Sequence, residues 1–276
     1  MRTIAHISDL HFGTVMPPIA DALAADIREL APSLVVASGD FTQRARGGQF
    51  REAAAFLARL PRPQLVVPGN HDIPLYDVVR RFFFPLDRYL KYISKDLRPV
   101  FRDDGLLVVG INTARSFTWD WSDFWKGGRI SEEQLIDVKT KACEVPAEVF
   151  KVVVTHHPFI PSPGEPLTDM VGRAGEALAA FEGCGVDMVL SGHLHLGYTG
   201  DMRTHYHAVV KRSILSVHAG TATSSRRRKD QPNSYNFITI NPDHVAVEVR
   251  SYDGVKFVKT VKTHFAKVDG IWVKEG

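Results

Sequence analysis

Residues 187–197 read DMVLSGHLHLG: an apolar run of strand type that stops at Gly192 and two histidines, His193 and His195. Alternate residues of an extended segment point to the same side, so the two imidazoles would aim at one point. Taken alone, the stretch is equally a polar loop holding two of the chain's 12 histidines. Repetition decides between these readings. IAHIS runs into DLH, LVVASG into D, LVVPG into NHD and VVVT into HH. In an open α/β sheet, ligands sit outside the carboxyl ends of the strands. Five polar clusters, each following an apolar strand candidate, would therefore meet at one edge despite their distance in sequence.

The segments between these strands carry helical spacing. In PPIADALAADIREL, prolines open the segment and Ile19, Leu23, Ile27 and Leu30 recur on one face. GGQFREAAAFLARL repeats the pattern with Phe50, Ala54 and Leu57. LLVVGIN and FKVVVT read as strands, GEALAAFEGCG as a helix, and Ser131 with Gln134 as the capping box of another. Strands alternating with helices predict βαβ units and a largely parallel sheet. After residue 200 only strands are expected: THYHAVV, SILSVHA, SYNFITI, HVAVEVRSY and VKFVKTVKT. One domain over residues 1–276, with two packed sheets and flanking helices, is the simplest organisation. The aromatic segment 74–97 interrupts it and reads as a helical cap inserted over the site. SFTWDWSDFWKGG, residues 116–128, is a second aromatic loop.

Composition sets the outer limits. The chain is 44% hydrophobic and 24% charged, as an ordinary globular protein is. A formal net charge of +3 argues against tracking an extended nucleic acid. Cys143 and Cys184 form no CxxC pair and read as unpaired thiols in a reducing compartment. With no apolar run of membrane-span length and no signal-peptide pattern, a cytoplasmic protein is expected.

Carboxylates and imidazoles without thiolates suit zinc, manganese or iron. Asp40, at a Gly-Asp turn, could bridge two such ions, which would lie about 3.5–4 Å apart and clamp a phosphoryl displacement. The order DxH…GD…GNHD…HH…GHxH, over residues 9–195, resembles the calcineurin-like metallophosphoesterase family, and in style its cyclic-nucleotide and glycerophosphodiester phosphodiesterases. The resemblance implies a four-layer α/β fold, a two-sheet β-sandwich flanked by helices. It implies one divalent ion held by Asp9, His11, Asp40 and His195, and a second by Asp40, Asn70, His156 and His193. His157 is the less favoured histidine of THHP. The family's leaving-group histidine falls on His71, with Asp72 expected to orient its ring.

Two ions bring +4; Asp9 and Asp40 reduce this to +2 and a metal-bound hydroxide to +1, suited to a phosphodiester monoanion. The expected activity is thus diester hydrolysis by that hydroxide, with His71 as general acid. The alternatives are a lipid-linked phosphodiester or pyrophosphate hydrolase of the UDP-diacylglucosamine type, a phosphomonoesterase, and a non-catalytic scaffold. A small-molecule or lipid-headgroup phosphoester is the expected partner. Arg226, Arg227, Arg228 and Lys229 read as a solvated loop or as phosphate-binding residues. Phe82, Phe83 and Phe84, with Trp119, Trp121, Phe124 and Trp125, read as a mini-core or as an apolar rim for an amphiphilic substrate. His6 is expected in the core, His218 in a structural role, and His205, His207, His244 and His264 on strand surfaces.

Overall fold

The computed structural model describes residues 1–116, 127–162, 170–206, 211–228 and 231–275. Two sheets pack face to face. The first has the order β13 (Ile271–Lys274), β12 (Phe257–Val268), β11 (His244–Tyr252), β10 (Ser234–Ile240), β1 (Arg2–Ile7), β2 (Leu34–Ser38), β3 (Gln64–Val67). The second has the order β4 (Val100–Arg102), β5 (Leu106–Gly110), β6 (Phe150–Val154), β7 (Met188–Ser191), β9 (Leu215–His218), β8 (Tyr198–Asp201). Strands β1, β2 and β3 are parallel neighbours, as are β5, β6, β7 and β9.

Alternation along the strands builds the layers. In β2, Leu34 and Val36 join Val152, Val154 and Leu190 in the core between the sheets. Val35 and Ala37 face the other way, onto helices α1 (Pro17–Leu30) and α2 (Gly47–Leu57). On the far side α5 (Glu132–Cys143) and α6 (Ala174–Gly183) cover the second sheet. The result is the expected four-layer α/β arrangement. Pro17 and Pro18 open α1, where missing N–H groups cost nothing. Ser131 caps α5 as predicted: its hydroxyl accepts from the Gln134 N–H at 3.2 Å, and Gln134 Oε1 accepts from the Ser131 N–H at 2.9 Å.

Two expectations are corrected. Thr204–Tyr206, read as strand, lies in a short helix, α7 (Arg203–Tyr206); residues 207–210 fall outside the described residues. Cys143 and Cys184, read as unpaired, are joined in a disulfide between the ends of α5 and α6. Such bonds persist in oxidising surroundings, so the cysteines no longer argue for a reducing compartment. The bond closes 41 residues, which corresponds to about 4 kcal/mol of denatured-state entropy. Reduction should lower the Tm by roughly 8 °C. Melts with and without reductant, repeated on Cys143→Ser, measure this; an unchanged Tm in both would deny the bond a stabilising role.

Segment 74–97 divides into two halves. In the second, α4 (Asp87–Tyr92) buries Tyr89 against the helix-side core and donates its hydroxyl to Val66 O at 3.2 Å. The first half, with α3 (Val78–Phe83), buries Arg81 and leaves its apolar side chains exposed.

Candidate metal centre

The polar clusters follow the carboxyl ends of β1, β2, β3, β6 and β7, and the two sheets present these ends to one another. The chain leaves each strand abruptly. Asp9, His11, Asp40, His193 and His195 all have φ between 50° and 71°, a left-handed conformation that costs a non-glycine residue about 1–3 kcal/mol and concentrates at functional sites. Neighbouring backbone holds them there. The Asp9 N–H donates to Gly39 O at 3.2 Å, that of His11 to Asp40 O at 2.9 Å, and that of His193 to Asp9 Oδ2 at 3.0 Å. His193 and His195 therefore converge on the site through turns, not through the strand alternation expected of them.

Glycine is required where these turns touch. Gly39 has φ +94°, and a Cβ there would lie 2.5 Å from His156 Nδ1. At Gly69 a Cβ would lie 2.1 Å from Asp40 Oδ1.

Asp40 stands at the middle. Its Oδ1 accepts the His71 N–H at 2.9 Å, which leaves Oδ2 facing His11 Nε2 at 3.6 Å and His156 Nε2 at 3.5 Å. On one side, Asp9 Oδ1 lies 3.5 Å from His11 Nε2 and 3.7 Å from His195 Nε2. On the other, Asn70 Oδ1 lies 3.1 Å from both His156 Nε2 and His193 Nδ1. Asp9, His11 and His195 form one grouping able to hold a cation; Asp9, Asp40 and His156 form a second. A third joins His157 to His156 and His193, so the less favoured histidine stays within reach, its Nδ1 on Thr113 Oγ1 at 2.8 Å.

Hydrogen bonds behind the rings fix which nitrogens face inward. His156 Nδ1 donates to Ser38 O at 2.8 Å, leaving a lone pair on Nε2. The Thr221 hydroxyl gives its own proton to Arg226 O, so at 2.6 Å it accepts from His195 Nδ1 and leaves His195 Nε2 a lone pair as well. In the neutral rings these lone pairs would meet carboxylate and amide oxygens, acceptor against acceptor, unless a proton or a cation lies between. Asp9 Oδ1 and both His11 ring nitrogens are buried without a hydrogen-bond partner. Buried polar groups are ordinarily satisfied; a cation between Asp9 Oδ1 and His11 Nε2 would satisfy both of these, so the donor set fits metal ions.

The charge balance around the rings carries the same message. Burial alone would lower His156, but Asp40 and Asp9 outweigh it and push the ring up to about 9. Burial likewise opposes ionisation of Asp9 and Asp40, yet the surrounding imidazoles hold both below the usual carboxylate range. Burial pushes His195 down to about 4 and His193 well below its ordinary value. Two buried carboxylates thus keep a proton on the nearest imidazole, as a cage built for positive charge would.

Asp72 differs from expectation. It does not orient His71; its carboxylate accepts N–H bonds from Phe41, Thr42 and Gly69 and the Thr42 hydroxyl, tying the Asp40 turn to the Asn70 turn. Burial and the nearby Asp40 push it up to about 7. The His71 ring is held instead by Gln43 O, which accepts from Nδ1 at 2.9 Å, and Nε2 accepts from Arg226 at 2.7 Å. Burial lowers His71 below its ordinary value.

Arg226, Arg227 and Arg228 line a cavity of about 250 Å³ with Asp40, Asn70, His71, His193 and His195. A smaller one of about 120 Å³ lies across the His71–Arg226 contact, bounded also by Gln43, Arg44, Ile73, Leu75 and Arg81. Sequence reasoning missed Thr221, although HAGT follows a strand as the other clusters do. It missed Arg44 and Arg81, which carry no motif. His6 and His218 are buried away from the cavity, each pushed by burial to about 3, on Ser38 Oγ and on Ser216 and Ser162 respectively. His205 sits on α7, and His244 and His264 are exposed strand residues. Trp119, Trp121, Phe124, Trp125, His207 and Lys229 fall outside the described residues.

Comparison with known proteins follows this geometry. A family model described as calcineurin-like phosphoesterase matches residues 2–197. A Synechococcus protein named "Probable cyclic nucleotide phosphodiesterase" is 24% identical over 212 residues, 71% of this chain and 74% of its own length. Among solved structures, a purple acid phosphatase from yellow lupin (Lupinus luteus) aligns with a TM-score of 0.66 at 14% identity. The match covers 95% of this chain and 53% of that one, so this chain spans about half the plant protein's length. A dimetal phosphatase from Danio rerio aligns with a TM-score of 0.64 at 13% identity, over 94% and 98% of the two chains.

Proposed function

Since the chain belongs to the calcineurin-like phosphoesterase family, we propose that it hydrolyses phosphodiesters at a centre of two divalent metal ions. The observation that carries this reading is Asp40 Oδ2, about equally far from His11 Nε2 and His156 Nε2 at 3.6 and 3.5 Å. One carboxylate oxygen between two donor groups is what a bridging ligand requires. Asp9, His11 and His195 would complete one set, and Asn70, His156 and His193 the other. Manganese, iron and zinc all suit these donors. When bound, such ions supply Lewis acidity and make a water nucleophilic near neutral pH.

The remaining work falls to side chains around the cavity. Water attacks phosphorus in line and gives up a proton, and the bond from phosphorus to the leaving alcohol breaks. The departing oxygen takes a proton from His71 Nε2, which must first gain one from the attacking water or from solvent. Asn70 contributes an oxygen without negative charge, which favours an anionic diester. Arg226 is placed to hold a phosphate oxygen once it turns from His71, and that turn frees Nε2. A hydrogen bond to a charged group is worth about 1.5–3 kcal/mol, so Arg226→Ala should lower kcat/KM about 10–100-fold with metal content unchanged. Wild-type kcat/KM in that variant would remove Arg226 from the substrate site.

The Synechococcus relative makes cyclic nucleotides the first diesters to try. The decisive assay loads the protein with manganese, iron or zinc. It then compares cyclic nucleotides, glycerophosphodiesters, nucleotide–lipid pyrophosphates and simple monoesters. Turnover confined to monoesters would replace the diesterase reading by a phosphomonoesterase.

A further inference from the structure

Helix α3 is built inside out. Its one buried side chain is Arg81, whose guanidinium donates to Pro74 O at 3.0 Å and Ser116 O at 2.8 Å. Its apolar side chains face water: Val79 is 67% exposed, Phe83 74%, and Tyr76, Val78, Phe82 and Phe84 about half or more. Exposed apolar residues scattered singly are normal, and elsewhere among the described residues they are scattered. Six within nine consecutive positions form a patch, which ordinarily marks an interaction surface.

Two further observations say what covers it. The first is charge. Of the six basic side chains between Pro74 and Arg98, Arg81 is buried and Arg80 and Arg98 are ion-paired, but Lys91 and Lys95 are exposed, and Arg88 bonds Ala45 O beside the exposed Arg44 and Arg46. Arg44 lies over the Tyr76 ring at 5.3 Å and bonds its hydroxyl. An apolar face with Arg44 against it and further exposed cations on the neighbouring segments suits an anionic lipid surface, where aromatic rings enter the interface and cations meet the headgroups. A second copy of the same face would bring Arg44 toward a like charge, which is unfavourable. The second is continuity. Leu75, at the root of the patch, and Arg81, on the inner side of α3, line the smaller cavity, whose far wall is His71 and Arg226. The exposed face and the candidate active site are thus two ends of one short path. No helix among the described residues is long and apolar enough to cross a membrane, so attachment through this face would be peripheral.

We propose that the Tyr76–Phe84 face docks the protein on an anionic phospholipid bilayer, with the smaller cavity opening toward it. If the phosphodiesterase reading holds, the substrate is then an amphiphile: its phosphoester reaches His71 past Leu75 and Arg81 while its apolar part stays at the bilayer. The test is co-sedimentation of the full chain with vesicles of phosphatidylcholine alone and of equal parts phosphatidylcholine and phosphatidylglycerol. Binding is expected only to the second, and should weaken as salt screens the headgroups. Phe82→Ser/Phe83→Ser removes two exposed rings, so its melting temperature should match wild type while vesicle affinity falls about 100-fold. Hydrolysis of a soluble nitrophenyl diester should be unchanged in this variant. Wild type that fails to sediment, or a variant that sediments equally well, overturns the proposal. So does a concentration-dependent wild-type dimer that the variant abolishes. Sedimentation needs no turnover, so its failure leaves the diesterase reading untouched. A protein that binds vesicles but cleaves no diester would reject that reading and keep this one.

Discussion

Asp40→Ala should lose both metal ions together and lower diester hydrolysis by about 10³-fold or more. Loss of an outer partner of a metal ligand already costs 10–100-fold, and Asp40 is proposed as a ligand shared by two ions. Its Oδ2 stands between the His11 and His156 ring nitrogens, while Oδ1 accepts the His71 N–H. The alanine variant therefore removes a shared negative charge and also releases the turn that carries Asn70 and His71. Asp40→Asn separates the two effects. It keeps an Oδ1 acceptor for the His71 N–H and the side-chain volume, but it removes the charge. Both variants should show fewer than one tightly held ion per chain by elemental analysis, with Asp40→Asn retaining the wild-type far-ultraviolet spectrum. Two tightly held ions in either variant would exclude Asp40 from the bridge and shift the weight to Asp9, which enters both of the groupings that contain a carboxylate.

The positions of these side chains were legible for a physical reason. A buried parallel strand is apolar along most of its length, so a run of three polar residues such as NHD after LVVPG is expected at its end. The chemistry of each cluster then shows which ends matter. Helix α1 was legible to the residue because two prolines open it, and the start of α5 because Ser131 and Gln134 satisfy each other's N–H groups. What stayed hidden depends on groups that leave no mark in the sequence. The rings of His156 and His71 are set by the backbone carbonyls of Ser38 and Gln43, which any residue would offer. Left-handed φ at Asp9 and His195 was invisible because neither residue type demands it. Asp72 was misread because adjacency to His71 suggested a contact, whereas the turn sends its carboxylate back onto Gly69 and Thr42. Cys143 and Cys184 meet only because α5 and α6 pack on the same sheet. The strands β4, β8 and β13 are short edge strands with little burial, so their patterns are too brief to read.

His71→Ala should discriminate between substrates according to how much their leaving group needs a proton. With Nδ1 committed to Gln43 O, Nε2 is the nitrogen that faces Arg226 and both cavities. None of the seven proposed ligands is His71, so its removal should leave two ions bound. General acid catalysis contributes about 10²–10⁴-fold when the departing oxygen is basic. A nitrophenolate departs unaided, whereas an alkoxide or a ribose oxygen does not. Hydrolysis of an alkyl or cyclic diester should therefore fall by about 10²-fold or more, while that of a nitrophenyl diester changes little. Metal content has to be measured on the variant first, because a disturbed centre would slow both substrates alike. The Arg226 contact gives the result a second meaning. Arg226 donates to Nε2 in the resting arrangement, so His71 could serve mainly to park that guanidinium beside the phosphate site. In that case His71→Ala would slow both substrates equally at full metal occupancy and would raise KM for each. Such an outcome would make His71 a positioning residue and leave the leaving group to take its proton from solvent.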